Sequence, residues 1–578
     1  MKLLVFSVLL ATVATGPANA GADDRARVTA LADRYVAEYQ KYFPLSYAFS
    51  GLPVERNDGI DANSSADIAH WHALMQSMGN ELATISPDAF AGEPEWVTWQ
   101  FLDQAFRQDR MTAICRNELW AVSPLGFQAG LPQVAGIQPV GTEEARAQAL
   151  TRWRAFGPYI DREIANLREG QRLGYSASDA AVRSTLSQLD ELLALKPGES
   201  PLMEPATRDK SPEFSADWLA VVEGTVWPAI VRYRDYVRDE YLPRARKSPS
   251  LQDMPDGRAC YRALIFSTAT VDVDPDSLFE QAQQEVARER KAAVELGRKL
   301  FGDRVTDWKS LGDVIRADPQ EKFASADEVR EFTQRVYERA HSAAGRMVLT
   351  PPTGKVVLEP FPDFQQATAP GGQYLPAAED GSRPATYLYR NVTTDLYRTS
   401  LENVILHETL PGHHLQVAFL AEHGRKGNHP VARLLFFSGP GEGWATYAED
   451  FAYELGLYDS DRDYVGRYMS SITPWIVLDL GMQLKGWTME QALAYAVEAR
   501  PLRTPDQVED TVAFISSAPG FVIAYPLGGL KWQEMRGRAE AKLGPKFDVR
   551  AFHQVLLEDG MLPFSALDAK LDRWIASQ

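Results

Sequence analysis

A proline and a glycine interrupt the histidine-rich stretch ILHETLPGHHLQ, and this interruption limits how that part of the chain can fold. Pro411 has no N–H to donate to the carbonyl of His407, and its ring clashes with the preceding helical turn. On an unbroken helix, His413 would lie about 120° around the axis from His407, and His414 would lie about 10 Å along it. We therefore predict a break or bulge at Pro411-Gly412 that brings a later histidine beside His407.

This break determines which histidines can share a metal ion. In the regular HExxH pattern, two histidines on one helix face bind one Zn²⁺, and the glutamate after the first histidine holds the attacking water. If the Pro-Gly pair is looped out, His413 becomes the second ligand and Glu408 the general base, although His414 stays open as the alternative ligand. A helix that simply ends before the Pro-Gly pair would leave the histidines on the surface. Five of the nine histidines fall between 407 and 429, which disfavours that alternative.

A second motif, GPGEGWATYAED, offers a carboxylate ligand. A Gly-Pro-Gly turn at 439–441 is predicted to place Glu442 at the start of a helix, where HExxH proteins with a following antiparallel helix have their third ligand. Glu449 lies seven residues later on the same helix face and is a candidate for orienting a ligating histidine, with no role at the metal as the alternative. An acidic residue in a first helical turn is also an ordinary partner of the helix dipole, so this role of Glu442 stays open.

The stretch APGFVIAYPLGGLKWQEMR at 518–536 contains two more candidates. Attack of a metal-bound water on a carbonyl places negative charge on oxygen, which a donor beside the metal must stabilise. Tyr525 is the candidate donor, although most of the 22 tyrosines must be packing residues. Arg536 is a candidate for bidentate binding of a substrate carboxylate, with a surface arginine on a helix as the alternative.

These three stretches together resemble the bacterial family known as domain of unknown function 885, whose members are treated as zinc metallopeptidases. The segments PDGRACYRALI at 255–265 and PGGQYLPAAEDGSRPATYLYRN at 370–391 extend the resemblance over nearly the whole chain. Within it, EGWA is similar to the element of aminopeptidase-type gluzincins that provides the third zinc ligand. The resemblance implies a mainly α, gluzincin-like zincin with two lobes around a channel and a small β-sheet beside the active site. It implies no particular substrate.

The first 20 residues have the pattern of a cleavable secretory signal, with Lys2, a short apolar run and the sequence Ala18-Asn19-Ala20. We expect cleavage after Ala20 and a periplasmic or secreted protein without a membrane span, because the apolar run is shorter than the ~20 residues that cross a bilayer. No cysteine directly follows the signal, which argues against a lipid anchor. The net charge of −18 disfavours nucleic acids and anionic membranes as partners.

The remaining chain is longer than one hydrophobic core normally serves. We predict a helical N-terminal lobe at 21–250 and a metal-binding catalytic lobe at 251–578. The proline-rich segment 196–215 is the predicted linker or long loop. The oligomeric state is not indicated by the sequence.

Strands are predicted at KVVLEP and ATYLYRN, within residues 355–391. They either hold an extended peptide next to the metal site by backbone hydrogen bonds, or form a structural hairpin. Cys115 and Cys260 either form a disulfide, as an oxidising compartment allows, or remain buried thiols.

The resulting hypothesis is an exported enzyme with one Zn²⁺ that hydrolyses peptides, of oligopeptidase or carboxypeptidase type. Endopeptidase and exopeptidase action are not distinguished by the sequence, and neither is side-chain preference. The alternatives are a zinc amidohydrolase acting on a non-peptide amide and a catalytically silent periplasmic binding or assembly factor. The intact Glu408 favours an enzyme.

Overall fold

The computed structural model describes residues 17–362, 366, 371–377 and 383–578. Of the signal predicted at residues 1–20, residues 1–16 lie outside this described part of the chain. The described part is mainly α-helical with one small β-sheet, as the sequence predicted.

The helices of the N-terminal half are α1 (Pro17–Tyr42), α2 (Pro44–Ala48), α3 (Ser65–Leu82), α4 (Pro94–Thr112), α5 (Phe127–Ile137), α6 (Glu143–Arg154), α7 (Phe156–Leu173), α8 (Asp179–Leu193), α9 (Glu204–Asp209), α10 (Pro212–Val221), α11 (Trp227–Tyr236), α12 (Gly257–Ala269) and α13 (Pro275–Phe301). Those of the C-terminal half are α14 (Trp308–Ala317), α15 (Ala326–Ser342), α16 (Arg398–Glu408), α17 (His413–His423), α18 (Val431–Leu434), α19 (Ser438–Glu454), α20 (Asp461–Met469), α21 (Pro474–Leu484), α22 (Met489–Ala499), α23 (Pro505–Ser517), α24 (Ala524–Leu543), α25 (Val549–Leu557) and α26 (Phe564–Ser577).

The sheet contains β1 (Val356–Pro360), β2 (Gly372–Leu375) and β3 (Ala385–Tyr389), in the order β1-β3-β2. The two predicted strands are confirmed, and they pair with each other in parallel rather than as a hairpin. β2, which the sequence did not predict, pairs antiparallel with β3 and contacts α16. The central strand β3 is mostly buried, whereas β2 forms an edge beside the helix that contains His407.

The segment 196–215 is helical and packed, so its prediction as a linker is wrong. It contains two short 3-10 turns, α9 and the start of α10, and prolines occupy their first positions. Proline is well tolerated at the start of a helix because the missing N–H has no partner there anyway. Leu202 is fully buried, and its carbonyl accepts a hydrogen bond from Trp218 Nε1 at 2.9 Å.

The hydrophobic clusters combine segments that are far apart in the sequence. The largest cluster joins residues 28–106 to residues 323–571, while a second is built within residues 122–245. The chain therefore crosses between its two halves, and the division at residue 250 stays a prediction. Cys115 and Cys260 form a disulfide in a third cluster, which selects one of the two alternatives for this pair.

Within the described ranges, no helix combines the length and the apolar character needed to cross a bilayer.

Candidate metal centre

The predicted break at the Pro-Gly pair is present as a tight connection between two helices. α16 ends at Glu408, and α17 begins at His413. A Cβ atom at Gly412 would lie 1.7 Å from the carbonyl oxygen of His407, so only glycine fits there. The buried Trp444 donates its indole N–H to the carbonyl oxygens of Pro411 and Gly412, at 3.1 and 3.2 Å.

We expect Gly412→Ala to destabilise the protein by about 1–3 kcal/mol and to weaken metal binding, because the added methyl group meets backbone rather than a movable side chain. Urea unfolding and metal content after dialysis would measure both effects. Gly537→Ala is the matched control, since no atom lies near its added Cβ and it is within α24. That change should leave metal content unaltered and stabilise by roughly 0.4–1 kcal/mol. An unaltered Gly412→Ala protein would show that the close approach is absent.

Three side chains on three helices meet at the connection. His407 lies in the last turn of α16, His413 in the first turn of α17, and Glu442 near the start of α19. One potential ligand atom from each lies within 4.8 Å of the others. Glu442 Oε2 is 3.1 Å from His413 Nε2 and 3.8 Å from His407 Nε2. Ligands bound tetrahedrally at about 2.1 Å from one metal ion lie about 3.4 Å apart, so these donors have the spacing for one ion.

α19 differs from its prediction at its first turn. The helix begins at Ser438, so the Gly-Pro-Gly sequence is helical rather than a preceding turn. Proline is compatible with the first turn of a helix, where N–H groups have no intrahelical partner. The glycines also allow close packing, because a Cβ atom at Gly443 would lie 2.4 Å from the backbone of Gly528 in α24. This contact of α19 with α24 brings Tyr525 to the site.

Glu449 contacts His407. Its Oε1 lies 2.8 Å from His407 Nδ1. A carboxylate at this nitrogen favours the tautomer with the proton on Nδ1, which leaves Nε2 free to bind a metal. The Glu449 side chain is itself nearly buried, and its backbone carbonyl accepts a hydrogen bond from the hydroxyl of Tyr458.

His414 is turned away from the other three side chains. It is 1 % exposed, and its Nε2 lies 2.9 Å from the carbonyl oxygen of Gly354. Its Nδ1 lies 3.1 Å from the hydroxyl of Tyr374 on β2. Burial lowers the pKa of His414, which favours its neutral form. The structure therefore brings His413, and not His414, together with His407.

We expect His413→Ala to lose bound metal, because it removes one of three ligand atoms. His414→Ala should keep the metal and instead reduce the free energy of unfolding by about 1–3 kcal/mol, since Tyr374 and the Gly354 carbonyl lose a buried partner. Metal analysis of both purified variants, together with urea titrations, would measure the difference. Loss of metal from His414→Ala with full occupancy in His413→Ala would reverse the assignment.

Charges at the centre are strongly coupled. Burial alone would raise the pKa of Glu442, but His413 and His407 hold it well below its usual range. Burial alone would lower the pKa of His407, but Glu442 and Glu449 raise this pKa well above the usual value for histidine. The carboxylates therefore stabilise positive charge at the point where the three ligand atoms meet, whether it belongs to an imidazolium or to a metal ion.

Glu408 and Tyr525 complete the surroundings of the three ligands. Glu408 Oε2 accepts a hydrogen bond of 2.9 Å from the backbone N–H of Tyr374, so this carboxylate is held by the edge strand β2. Burial and then the Glu442 carboxylate raise the pKa of Tyr525, which keeps its hydroxyl protonated as a donor. Both residues line the space in front of the ligands.

Two cavities meet at the centre. The larger has a volume of about 1450 Å³ and is lined by the three candidate ligands, β2 residues and apolar side chains. The smaller has a volume of about 400 Å³ and extends to the α22–α23 connection. His407, Glu408 and Tyr525 line both cavities, so the candidate centre lies where they join.

Arg536 lies outside both cavities. Its guanidinium forms ion pairs with Glu454 at 2.7 Å and Glu540 at 2.8 Å, and it donates to the hydroxyl of Tyr447 at 3.2 Å. The proposal that Arg536 binds a substrate carboxylate is therefore not supported, because its hydrogen-bonding positions already have partners on α19 and α24.

Sequence reasoning missed two residues that shape the site. Tyr374 lies on a strand of four residues, which is too short for an alternating pattern to stand out against the surrounding glycines and prolines. Trp444 lies inside the EGWA element that the sequence did single out, but its hydrogen bonds to the Pro-Gly connection depend on the crossing of two helices.

Comparison with curated proteins gave no match. Solved structures do match. A protein from Colwellia psychrerythraea described as a "putative lipoprotein" superposes with a TM-score of 0.86 at 22 % identity, over 96 % of this chain and 100 % of that one. A protein from Shewanella oneidensis described as a "putative lipoprotein of unknown function" gives a TM-score of 0.76 at 15 % identity, over 93 % of this chain and 98 % of that one. At these identities the likeness establishes a shared fold.

A family model extends the likeness to sequence. It is described as bacterial protein of unknown function (DUF885), and it matches residues 44–571, which include every residue of the candidate centre. The chain therefore belongs to the DUF885 family of bacterial proteins.

Proposed function

We propose that this protein is a zinc metallopeptidase of the gluzincin type that hydrolyses peptides. The observation on which the proposal rests is the cluster of His407, His413 and Glu442, whose ligand atoms have the spacing for one metal ion. Two imidazoles and one carboxylate are a ligand set that Zn²⁺ accepts, and three protein ligands leave a fourth position for water. The orienting contact of Glu449 with His407 is also typical of zinc sites.

The roles of the surrounding residues follow from their positions. A bound zinc ion would lower the pKa of a coordinated water to about 7 and polarise a substrate carbonyl. Glu408, next to His407, would accept a proton from the attacking water and pass it to the leaving amine. Tyr525 would donate its hydroxyl proton in a hydrogen bond to the developing oxyanion. His407, His413 and Glu442 would hold the metal ion.

The larger cavity supports a peptide as the substrate. Gly372, Gln373 and Tyr374 of β2 line this cavity, and β2 is one of the two edge strands of the sheet. An extended peptide can add to a strand edge through backbone hydrogen bonds, which requires no particular side chains. We propose that this cavity is the channel between two lobes in which the peptide lies.

Export of the protein is proposed from two observations. Disulfides such as Cys115–Cys260 persist in oxidising compartments, and the N-terminal sequence has the pattern of a secretory signal. Two proteins with the same fold are described as putative lipoproteins, which agrees with a location outside the cytoplasm.

Metal analysis combined with peptide digestion tests the function. Protein purified without chelators should contain about one zinc per chain, and mass spectrometry should detect cleavage products from a mixture of short peptides. Removal of zinc with a chelator should stop cleavage, and added zinc should restore it. A zinc-loaded protein that cleaves no peptide would reject the proposal and favour a binding or assembly factor.

A further inference from the structure

The smaller cavity beside the candidate metal centre is lined by three arginines, Arg390, Arg500 and Arg503. Arg390 directly follows β3, whereas Arg500 and Arg503 lie in the connection between α22 and α23. None of the three lines the larger cavity. Two other arginines, Arg383 and Arg433, line the larger cavity. The smaller cavity thus has its own group of three arginines beside the candidate centre.

These arginines have few partners. Arg390 Nε donates to the carbonyl oxygen of Gln366 at 3.1 Å, and Arg500 Nη1 donates to that of Ser471 at 2.8 Å. Across the described part of the chain, the Arg503 side chain forms no hydrogen bond or ion pair, and no carboxylate pairs with any of the three. Part of Arg503 is exposed to solvent, and the residue lines the smaller cavity.

The positive charges of the three arginines repel one another. Burial among neighbouring atoms, and then the charge of Arg390, lower the pKa of Arg503. Burial, and then Arg503, lower the pKa of Arg500 to about 9. Guanidinium groups stay charged at neutral pH. Asp395, Glu408 and Glu449 line the same cavity, but among the described residues none of these carboxylates forms an ion pair with the three arginines. A bound anion would relieve this repulsion.

The size of the smaller cavity indicates which kind of anion it could bind. Its volume of about 400 Å³ is in the range of pockets for small ligands, so it holds a short chain end better than a continuing polypeptide. A guanidinium binds a planar carboxylate through two parallel hydrogen bonds. We propose that Arg503 and Arg390 bind the free α-carboxylate of a peptide's C-terminal residue, so that the enzyme releases short units from the C-terminus. This inference rests on the proposed function.

The reaction that follows is a hydrolysis. With the chain end in the smaller cavity, the scissile carbonyl lies at the metal centre and the rest of the peptide extends into the larger cavity along β2. Water adds to the carbonyl carbon, so that a C–O bond forms and the C–N bond breaks. The leaving amine takes the proton that Glu408 accepted from the water, and it departs as the N-terminus of the released unit.

Binding tests the inference without turnover. Zinc-loaded Glu408→Gln protein would be titrated calorimetrically with two peptides of one sequence, one with a free C-terminal carboxylate and one with a C-terminal amide. We expect the free acid to bind roughly 10–100-fold more tightly, as a charged hydrogen-bonded pair contributes. Adding Arg503→Gln should bring the ratio close to one, whereas Arg503→Lys should give an intermediate ratio. Circular dichroism would establish that each variant is folded.

Arg536→Gln is the control, because it removes the same charge outside both cavities and should keep the preference for the free acid. Product analysis with wild-type protein separates the two proposals. Equal cleavage of acid and amide at internal bonds, or an unchanged binding ratio in Arg503→Gln, would overturn the inference and leave the proposed function intact. Zinc-loaded protein that cleaves neither peptide would reject the proposed function, and the inference with it.

Discussion

Replacing Glu408 with glutamine is expected to reduce peptide hydrolysis at least 10²–10⁴-fold, the range that general-base catalysis contributes, while about one zinc per chain remains bound. Glutamine cannot accept a proton from the metal-bound water, but its side-chain oxygen can still accept the hydrogen bond from the backbone N–H of Tyr374. The local structure should therefore be preserved. Steady-state rates, zinc content and the midpoint of thermal unfolding would be compared with those of wild-type protein.

An unchanged rate in Glu408→Gln would exclude it as the base. A loss of zinc would place Glu408 among the ligands instead, in conflict with the cluster of His407, His413 and Glu442. Both outcomes can be read from the same protein preparation, so the experiment separates a failure of catalysis from a failure of metal binding.

Replacing Glu442 with glutamine is expected to lower zinc affinity by orders of magnitude and to abolish activity, with partial recovery in excess zinc. The carboxylate is close to both histidines, and an amide oxygen lacks the charge that attracts the metal ion. If Glu442 only interacted with the helix dipole, the same change would cost about 0.3–1 kcal/mol and leave the metal bound. Competition with a chromogenic chelator would measure the affinity.

Glu449→Gln provides an internal comparison on the same helix. The side-chain oxygen of glutamine can still accept a hydrogen bond from His407 Nδ1, so we expect only a 10- to 100-fold loss of zinc affinity. If Glu449→Gln lost its zinc and Glu442→Gln kept it, the carboxylate ligand would be Glu449 instead of Glu442.

The parts of the site that could be predicted from sequence are those governed by local chemistry. Pro411 has to break a helix wherever the chain lies, so the end of α16 was predictable. Glu442 and Glu449 were predictable as residues on one helix face, because seven residues make about two helical turns. The choice between His413 and His414 was not, because the backbone angles of the connection decide which ring faces His407.

The remaining parts depend on contacts between distant segments. Arg390 and Arg503 are far apart in sequence and come to one cavity only because β3 and the α22–α23 connection meet there. Arg536 has a suitable side chain for the same role, but it pairs with Glu454 and Glu540. The prediction of a linker at 196–215 was wrong because prolines in the first turns of helices were interpreted as signs of a loop.

The glycine contact between α19 and α24 limits which side chains around the site can change. The two helices approach so closely that a Cβ atom added at Gly443 or at Gly528 would collide with main-chain atoms of the other helix. This packing sets the spacing of Glu442 and Tyr525. If the proposed function is correct, closure around a substrate is expected on the opposite side of the site, where β2 holds Glu408. Changes of substrate preference, by evolution or by protein engineering, are accordingly expected at β2 and the arginine-lined cavity, where side chains can change without moving the third ligand.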